Sequence, residues 1–307
     1  MIRPLSRYHG GSGALVLGMG SWVIKIGRSQ TGRQKLCHEA LYLKSLRHTP
    51  AERLYVDSIG PDILNRVGIL IMHRVEGVQA REAILNRAEA AFHVELIEDA
   101  GAQLAKTCVA TRRKVDSNFA AVWASSLAHD RAVKAGKIFG EEVRLAAANL
   151  LEDIDDRASY SVLRTPCAAS IHGDAHLGNL ILVQDSYKWL DPRGFFIDGP
   201  SFDPAYDIGK MAHEPALVEG MYGDSGLARV LEGYSRKLQT AYIEPWRSVD
   251  PNVGRRACFY AAVNLLSATT FGQIKSDEAA KNMLRIAGRF LSGIETRSGI
   301  EGVEWFG

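Results

Sequence analysis

The sequence predicts an α+β chain of two lobes, a small β-rich one over residues 1–75 and a larger, mainly helical one over residues 76–307. Three observations predict it. The first 75 residues hold short apolar runs bounded by glycines, which is hairpin chemistry. From about residue 80 the apolar residues recur at helical spacing. Between the helices, at residues 166–200, Pro, Gly, Asp and His crowd around two short apolar runs.

In chain order, Ala14-Leu15-Val16-Leu17 and Trp22-Val23-Ile24-Lys25-Ile26 are the first two expected strands, with Gly10, Gly11, Gly13, Gly18 and Gly20 crowding the first of them. Leu36, Ala40, Leu43 and Leu46 then step by three and four, which predicts one amphipathic helix over 34–47. A strand follows at 68–73. Ile84, Ala88, Phe92, Leu96, Ala100, Leu104 and Cys108 step by four and predict a single long helix with a buried stripe. A second helical stretch covers 126–155. Strands are expected at 180–183 and 188–190, then helices at about 203–214, 225–243, 252–273 and 276–295.

Composition excludes several classes. Hydrophobic residues make up 46% and charged residues 23% of 307, a globular balance. Apolar runs such as Ile69 to Met72 are far short of the ~18–20 residues of a membrane helix. The opening residues have no apolar core of a secretory signal, so a cytoplasmic location is expected. Cys37, Cys108, Cys167 and Cys258 are too far apart to suggest a disulfide framework or a zinc ribbon, and free thiols are expected. The net charge is +2, and no basic helix or aromatic–basic interleaving speaks for nucleic acid. The charge is uneven: residues 1–75 carry 11 Lys+Arg against 4 Asp+Glu, while the remainder is mildly acidic. A positive N-terminal third suits an anionic ligand, and an acidic remainder suits a metal or a cationic or neutral partner.

The densest constellation is Ile171-His172-Gly173-Asp174-Ala175-His176-Leu177-Gly178-Asn179, followed after two short runs by Leu190-Asp191-Pro192-Arg193-Gly194. Phosphoryl transfer from ATP needs one carboxylate at the attacking hydroxyl. It also needs a second carboxylate and an amide oxygen to hold Mg²⁺ against the phosphates. Asp174 with Asn179 five residues on has the Asp-x-x-x-x-Asn spacing of a kinase catalytic loop, and a hairpin then returns Asp191 toward Asn179. His172 and His176 also have the spacing of a zinc pair on a helix, but the glycines around them have poor helix propensity.

This segment resembles the aminoglycoside phosphotransferase and choline-kinase-like family of small-molecule kinases. The family pattern His-Gly-Asp-x-His-x-x-Asn followed by Ile-Asp is matched by His172 to Asn179 and by Leu190-Asp191. The later element Gly-Asp-Pro-x-x-Asp-Leu-Ala is matched by Phe202-Asp203-Pro204-Ala205-Tyr206-Asp207-Ile208-Gly209. The resemblance implies a bilobal, protein-kinase-like fold, Asp174 as catalytic base, Asn179 and Asp191 as Mg²⁺ ligands, and His172 as a brace of the loop. Where many members have Asp-Trp-Glu, this chain has Asp191-Pro192-Arg193, which leaves the acceptor class open.

The small lobe is expected to hold the nucleotide. Lys25 sits on an apolar strand after the glycine-rich turn, where a lysine pairs with phosphates, and Glu39 on the following helix is its expected ion-pair partner. Gly10, Gly11, Ser12 and Gly13 are the candidate phosphate loop. Met72, His73 and Val75, in Met72-His73-Arg74-Val75, are the candidate hinge whose backbone reads adenine. Asp207 fits a loop brace or a helix cap better than a catalytic group. Arg193 fits an internal ion pair as well as a contact to phosphate or acceptor, and Asp198 and Asp203 have no assigned role. The expectation is an enzyme that uses ATP, with GTP as the alternative nucleotide, and Mg²⁺ to phosphorylate a hydroxyl of a sugar, aminocyclitol or related metabolite. The rivals are an aminoglycoside-type antibiotic kinase and, in another class, a pseudokinase scaffold.

Overall fold

The two glycine-bounded apolar runs fold onto each other through a two-residue turn at Gly20-Ser21, pairing Met19 with Trp22 and Ala14 with Gly27. The structure is a computed structural model that describes residues 3–4, 14–59, 62–86, 90–194, 199 and 201–306. Its first part comprises β1 (Arg3–Pro4), β2 (Ala14–Met19), β3 (Trp22–Gly27), α1 (Gln30–Ser45), β4 (Ser58–Ile59), α2 (Asp62–Arg66) and β5 (Ile69–His73). The five strands form one antiparallel sheet in the order β1-β2-β3-β5-β4. The Ser29 hydroxyl caps α1 by accepting the Gly32 N–H at 3.0 Å, and Leu36, Glu39, Ala40 and Leu43 form its buried face.

The rest of the chain comprises β6 (Val78–Gln79), α3 (Ala80–Leu85), α4 (Ala90–Ala110), β7 (Arg113–Ser117), α5 (Phe119–Ile138), α6 (Glu141–Ala158), β8 (Thr165–Ser170), β9 (Leu180–Val183), β10 (Ser186–Trp189), β11 (Ser201–Phe202), α7 (Ala205–Tyr222), α8 (Ser225–Ile243), α9 (Val253–Thr269) and α10 (Asp277–Gly293). Two small sheets, ordered β10-β9-β6 and β11-β8-β7, hold the loop between β8 and β9. Helix α7 packs against α8, α9 and α10, and its face between Ala205 and Ala216 is buried throughout. Pro215 within α7 cannot donate to the Met211 carbonyl, and the Ser235 hydroxyl of α8 supplies that bond at 3.1 Å.

Two expected helices are in fact four. The stripe from Ile84 to Cys108 is divided between α3 and α4, with Asn86 capping α3. A strict four-residue step overshoots the helical turn by about 40° each time, so over six steps it winds about 240° around one helix and cannot face one core. The stretch at 126–155 is split into α5 and α6 at Phe139, whose backbone is extended, and Gly140, whose N–H bonds the Asp277 carboxylate at 3.0 Å. The strands β7 and β8 were not expected. β7 is Arg-Lys-Val-Asp-Ser, a polar edge strand without apolar alternation, and its pairing with β8 is irregular between Lys114 and Ser117.

An aromatic stack ties the first sheet region to the loop. Tyr42 meets Tyr55 edge-on at 5.7 Å, Tyr55 stacks on His172 at 5.8 Å, and His172 meets Trp189 at 5.1 Å. Tyr55 also forms a parallel bridge with Trp189. All four cysteines are free, and among the described residues no helix is long and apolar enough to cross a membrane.

Candidate active site

Lys25 is the charged residue of β3, placed opposite Val16 and Leu70 by the sheet register, and its side chain is nearly buried. Its ammonium donates to Glu39 Oε1 at 2.6 Å and to Asp191 Oδ1, so strand, helix and the segment after β10 meet at one nitrogen. Burial works against the charge of Lys25, but Asp191 and Glu39 outweigh it and raise its pKa. Burial pushes Glu39 up to about 7 despite Lys25. Asp191 is held below the usual carboxylate range, its burial being outweighed by Lys25. Asp191 itself has φ +53, a left-handed backbone that a non-glycine residue adopts at a cost of about 1–3 kcal/mol.

The loop after β8 is held by carboxylates beneath it. Asp207 in the first turn of α7 accepts the N–H of His172 at 2.8 Å and of Gly173 at 2.7 Å, so it braces the loop. Glu214, two turns on, accepts the N–H groups of Leu177 and Gly178 at 2.7 and 2.9 Å and touches His176 Nδ1 at 3.1 Å. His172 Nδ1 accepts the Asp174 N–H at 3.2 Å, which fixes the imidazole as a neutral tautomer. Gly173 has φ +78, and a Cβ there would meet the Arg193 carbonyl at 2.7 Å, so the loop approaches the 191–194 segment only through glycine. The pair His172–His176 lies in irregular backbone, not on a helix.

Asp174 is almost fully buried. Arg193 NH2 approaches its Oδ2 at 3.1 Å, Lys210 Nζ its Oδ1 at 3.3 Å, and His176 Nε2 lies 4.0 Å away. Burial disfavours its ionised form, but Arg193 and Lys210 outweigh this and hold the carboxyl well below its usual range. Asn179 donates from Nδ2 to the Asp174 carbonyl at 2.9 Å, which leaves its Oδ1 as an acceptor. Asn179 Oδ1 and the free oxygen of Asp191 are hard oxygen donors, the kind Mg²⁺ prefers, so these residues fit that ion.

Lys25, Glu39, Asp174, Asn179 and Asp191 are thus parts of one connected cluster. Gly10, Gly11, Ser12, Gly13 and Asp198 lie outside the described residues. At the expected hinge, Met72 is buried, while His73 is exposed with its ring stacked on Trp22 at 4.4 Å. The His73 N–H bonds the Asp57 carbonyl at 3.1 Å and that of Arg74 the Ser21 carbonyl at 2.8 Å, and Val75 beyond them is half-buried. Arg193 is the ion-pair partner of Asp174. Asp203, which had no assigned role, is buried against Arg256 with Nε–Oδ2 at 2.8 Å and NH2–Oδ1 at 3.0 Å.

Sequence reading missed Lys210 and Glu214. Their signal was present: Asp207, Lys210 and Glu214 recur at three and four residues, one face of α7 turned to the loop.

The buried ionisable groups give the fold a specific response to acid. Burial lowers His172 and His213 to about 3, so the stability they contribute is present above their unfolded value and is lost as pH falls. Burial raises Glu39 and Asp207 to about 7, so the stability tied to their protonated forms is gained as pH falls through that value. These two pairs oppose each other, each group at about 1.4 kcal/mol per pH unit, between about pH 6.5 and 4.5. Below about pH 4 only losses remain, because Asp174, Asp191, Asp203 and Glu214, the last at about 2, are held low in the folded state. Urea unfolding midpoints are expected to be nearly level from pH 6.5 to 4.5 and to collapse below 4. A steady decline starting at 6.5 would contradict the assignment.

No family model matches the chain, and no curated protein sequence does. Solved structures do. A choline/ethanolamine kinase family protein from Mesorhizobium loti aligns with a TM-score of 0.58 at 14% identity, covering 98% of this chain and 92% of that one. Aminoglycoside phosphotransferase APH(2'')-Ib with ADP bound aligns with a TM-score of 0.55 at 14% identity, covering 95% and 94%. A glucosamine kinase aligns with a TM-score of 0.54 at 10% identity, covering 95% and 74%. The chain has the bilobal, protein-kinase-like fold of these proteins.

Proposed function

We propose that the protein is a small-molecule kinase that uses Mg-ATP to phosphorylate a hydroxyl. The observation that carries this reading is the junction at Lys25, where Glu39 and Asp191 converge on one ammonium while Asp174 and Asn179 lie on the adjoining loop. The structural neighbours solved with ADP or ATP bound favour ATP over GTP. Residues 1–75 form the nucleotide lobe in this reading, and residues 76–307 the catalytic and acceptor lobe.

Lys25 holds the α- and β-phosphates as a point charge, and Glu39 keeps it from collapsing wholly onto Asp191. Asn179 and Asp191 hold Mg²⁺, which supplies charge neutralisation on the phosphates when bound. Asp174 orients the acceptor hydroxyl by accepting its hydrogen bond. The hydroxyl oxygen forms the new bond to the γ-phosphorus, the bond to the β-phosphate oxygen breaks, and the hydroxyl proton passes to Asp174 and on to solvent. The depressed pKa of Asp174 makes it a weak base, which suits a loose transition state where the proton leaves late.

An ATP-consumption screen over sugars, sugar phosphates, aminocyclitols, aminoglycosides and amino alcohols tests the reading, with Lys25→Met as the control. Acceptor-dependent ADP release is expected, with KM for ATP raised and kcat lowered in Lys25→Met. A Lys25→Met variant with unchanged kinetics contradicts the nucleotide half of the reading.

A further inference from the structure

The geometry points to an acceptor that carries an anionic group, a phosphate or a carboxylate, beside the hydroxyl that is phosphorylated. This deepens the kinase reading and rests on it. The two side chains in ion-pair contact with Asp174 apart from His176 are cations, Arg193 at 3.1 Å and Lys210 at 3.3 Å. The Arg193 side chain is 39% exposed. Lys210 lies 5.9 Å over the Tyr206 ring, beside the same carboxylate.

Two further cations lie nearby. Lys35 on α1 is half-buried and within electrostatic reach of Asp174, Arg193, Lys210 and Arg131. Arg131 on α5 reaches the Thr270 hydroxyl from NH1 at 3.4 Å, while its Nε is buried with no hydrogen-bond partner. Arg193 and Lys210 therefore pair with one carboxylate, and Lys35 lies within its electrostatic reach. Among the described residues the other nearby acids are engaged elsewhere: Asp191 and Glu39 with Lys25, Asp207 with two backbone N–H groups, and Glu214 with Leu177, Gly178 and His176.

The arrangement separates two jobs. Lys25 comes from the first sheet and meets Asp191, the nucleotide side. Lys210 comes from α7 of the large lobe and lies on the Asp174 side, where the acceptor hydroxyl must approach. A polyamine there meets like charge. A phosphate or carboxylate pairs with Arg193 and Lys210 and leaves Asp174 free to take the hydroxyl. The mildly acidic balance of the large lobe points to a cationic or neutral partner, whereas this inference rests on the cations paired with Asp174.

The test uses one sugar skeleton in four charge states, added to the full chain saturated with Mg-ADP: glucose 6-phosphate, glucuronate, glucose and glucosamine. Isothermal calorimetry is expected to show binding of glucose 6-phosphate or glucuronate at least tenfold tighter than of glucose or glucosamine. The preferred anion distinguishes phosphate from carboxylate. Lys210→Gln is expected to weaken that binding at least tenfold and leave the Mg-ADP affinity unchanged, which places the anion at the acceptor and not at the phosphate tail. Glucosamine or glucose binding as tightly as the anions overturns the inference, as does a lack of anion binding in a chain that binds Mg-ADP. A chain that does not bind Mg-ADP overturns the kinase reading beneath it.

Discussion

Replacing Asp174 by asparagine lowers turnover about 10²–10⁴-fold while Mg-ATP binding persists. The side chain keeps its shape but loses the negative charge that, in the proposed mechanism, orients the acceptor hydroxyl and accepts its proton. Lys25, Glu39 and Asp191 are untouched by the change, so nucleotide affinity is expected to hold. Steady-state kinetics and calorimetry on the same preparation separate the two effects. A variant that keeps more than about a tenth of wild-type turnover removes Asp174 from the reaction.

The second large effect is on stability. Arg256 is buried between Asp203 and Asp250, bidentate to the first, and reaches Asp250 Oδ1 from NH1 at 3.0 Å. Asp203 further accepts bonds from Thr165, Tyr260 and the Ala205 N–H at 2.8, 2.9 and 3.0 Å, which anchors the start of α7. Arg256→Met leaves two carboxylates buried without their cation and is expected to cost about 3–5 kcal/mol in urea unfolding. Arg256→Lys, which keeps a charge but not the fork, is expected to recover part of that loss. A cost below about 1 kcal/mol for Arg256→Met shows that the pair does not hold α7 in place.

Much of the site could be read from local spacing. Asp174, Asn179 and Asp191 sit within 18 residues of each other, so a loop and a hairpin bring them together without knowledge of the rest of the fold. Lys25 and Glu39 were legible for a similar reason: one polar residue on an apolar strand, and one on the buried stripe of an amphipathic helix. Long-range partners were not legible in this way. Arg256 is 53 residues from Asp203, and only the packing of α9 against α7 makes them neighbours. Helix ends were misjudged where apolar spacing continued through a break, as at Asn86 and Gly140, because periodicity reports a buried face and not the continuity of hydrogen bonds. The strand β7 was invisible because an edge strand made of Arg, Lys, Asp and Ser carries no alternating signal.

The cations around Asp174 were not legible for a different reason. Arg193 and Lys210 reach its carboxylate from two separate segments, so a charge count over the large lobe does not show them as a group.

In the proposed nucleotide site Lys25 and Asp191 share one junction, and Asp191 and Asn179 would hold the metal. Calorimetric titration of a non-hydrolysable ATP analogue, with and without Mg²⁺, into the wild-type chain and Asp191→Asn tests this most directly. Binding to the wild type is expected to strengthen sharply with Mg²⁺, and the metal dependence to be largely lost in Asp191→Asn with the fold intact by circular dichroism. Equal, Mg²⁺-strengthened binding in both proteins, or no binding to the wild type, would contradict it.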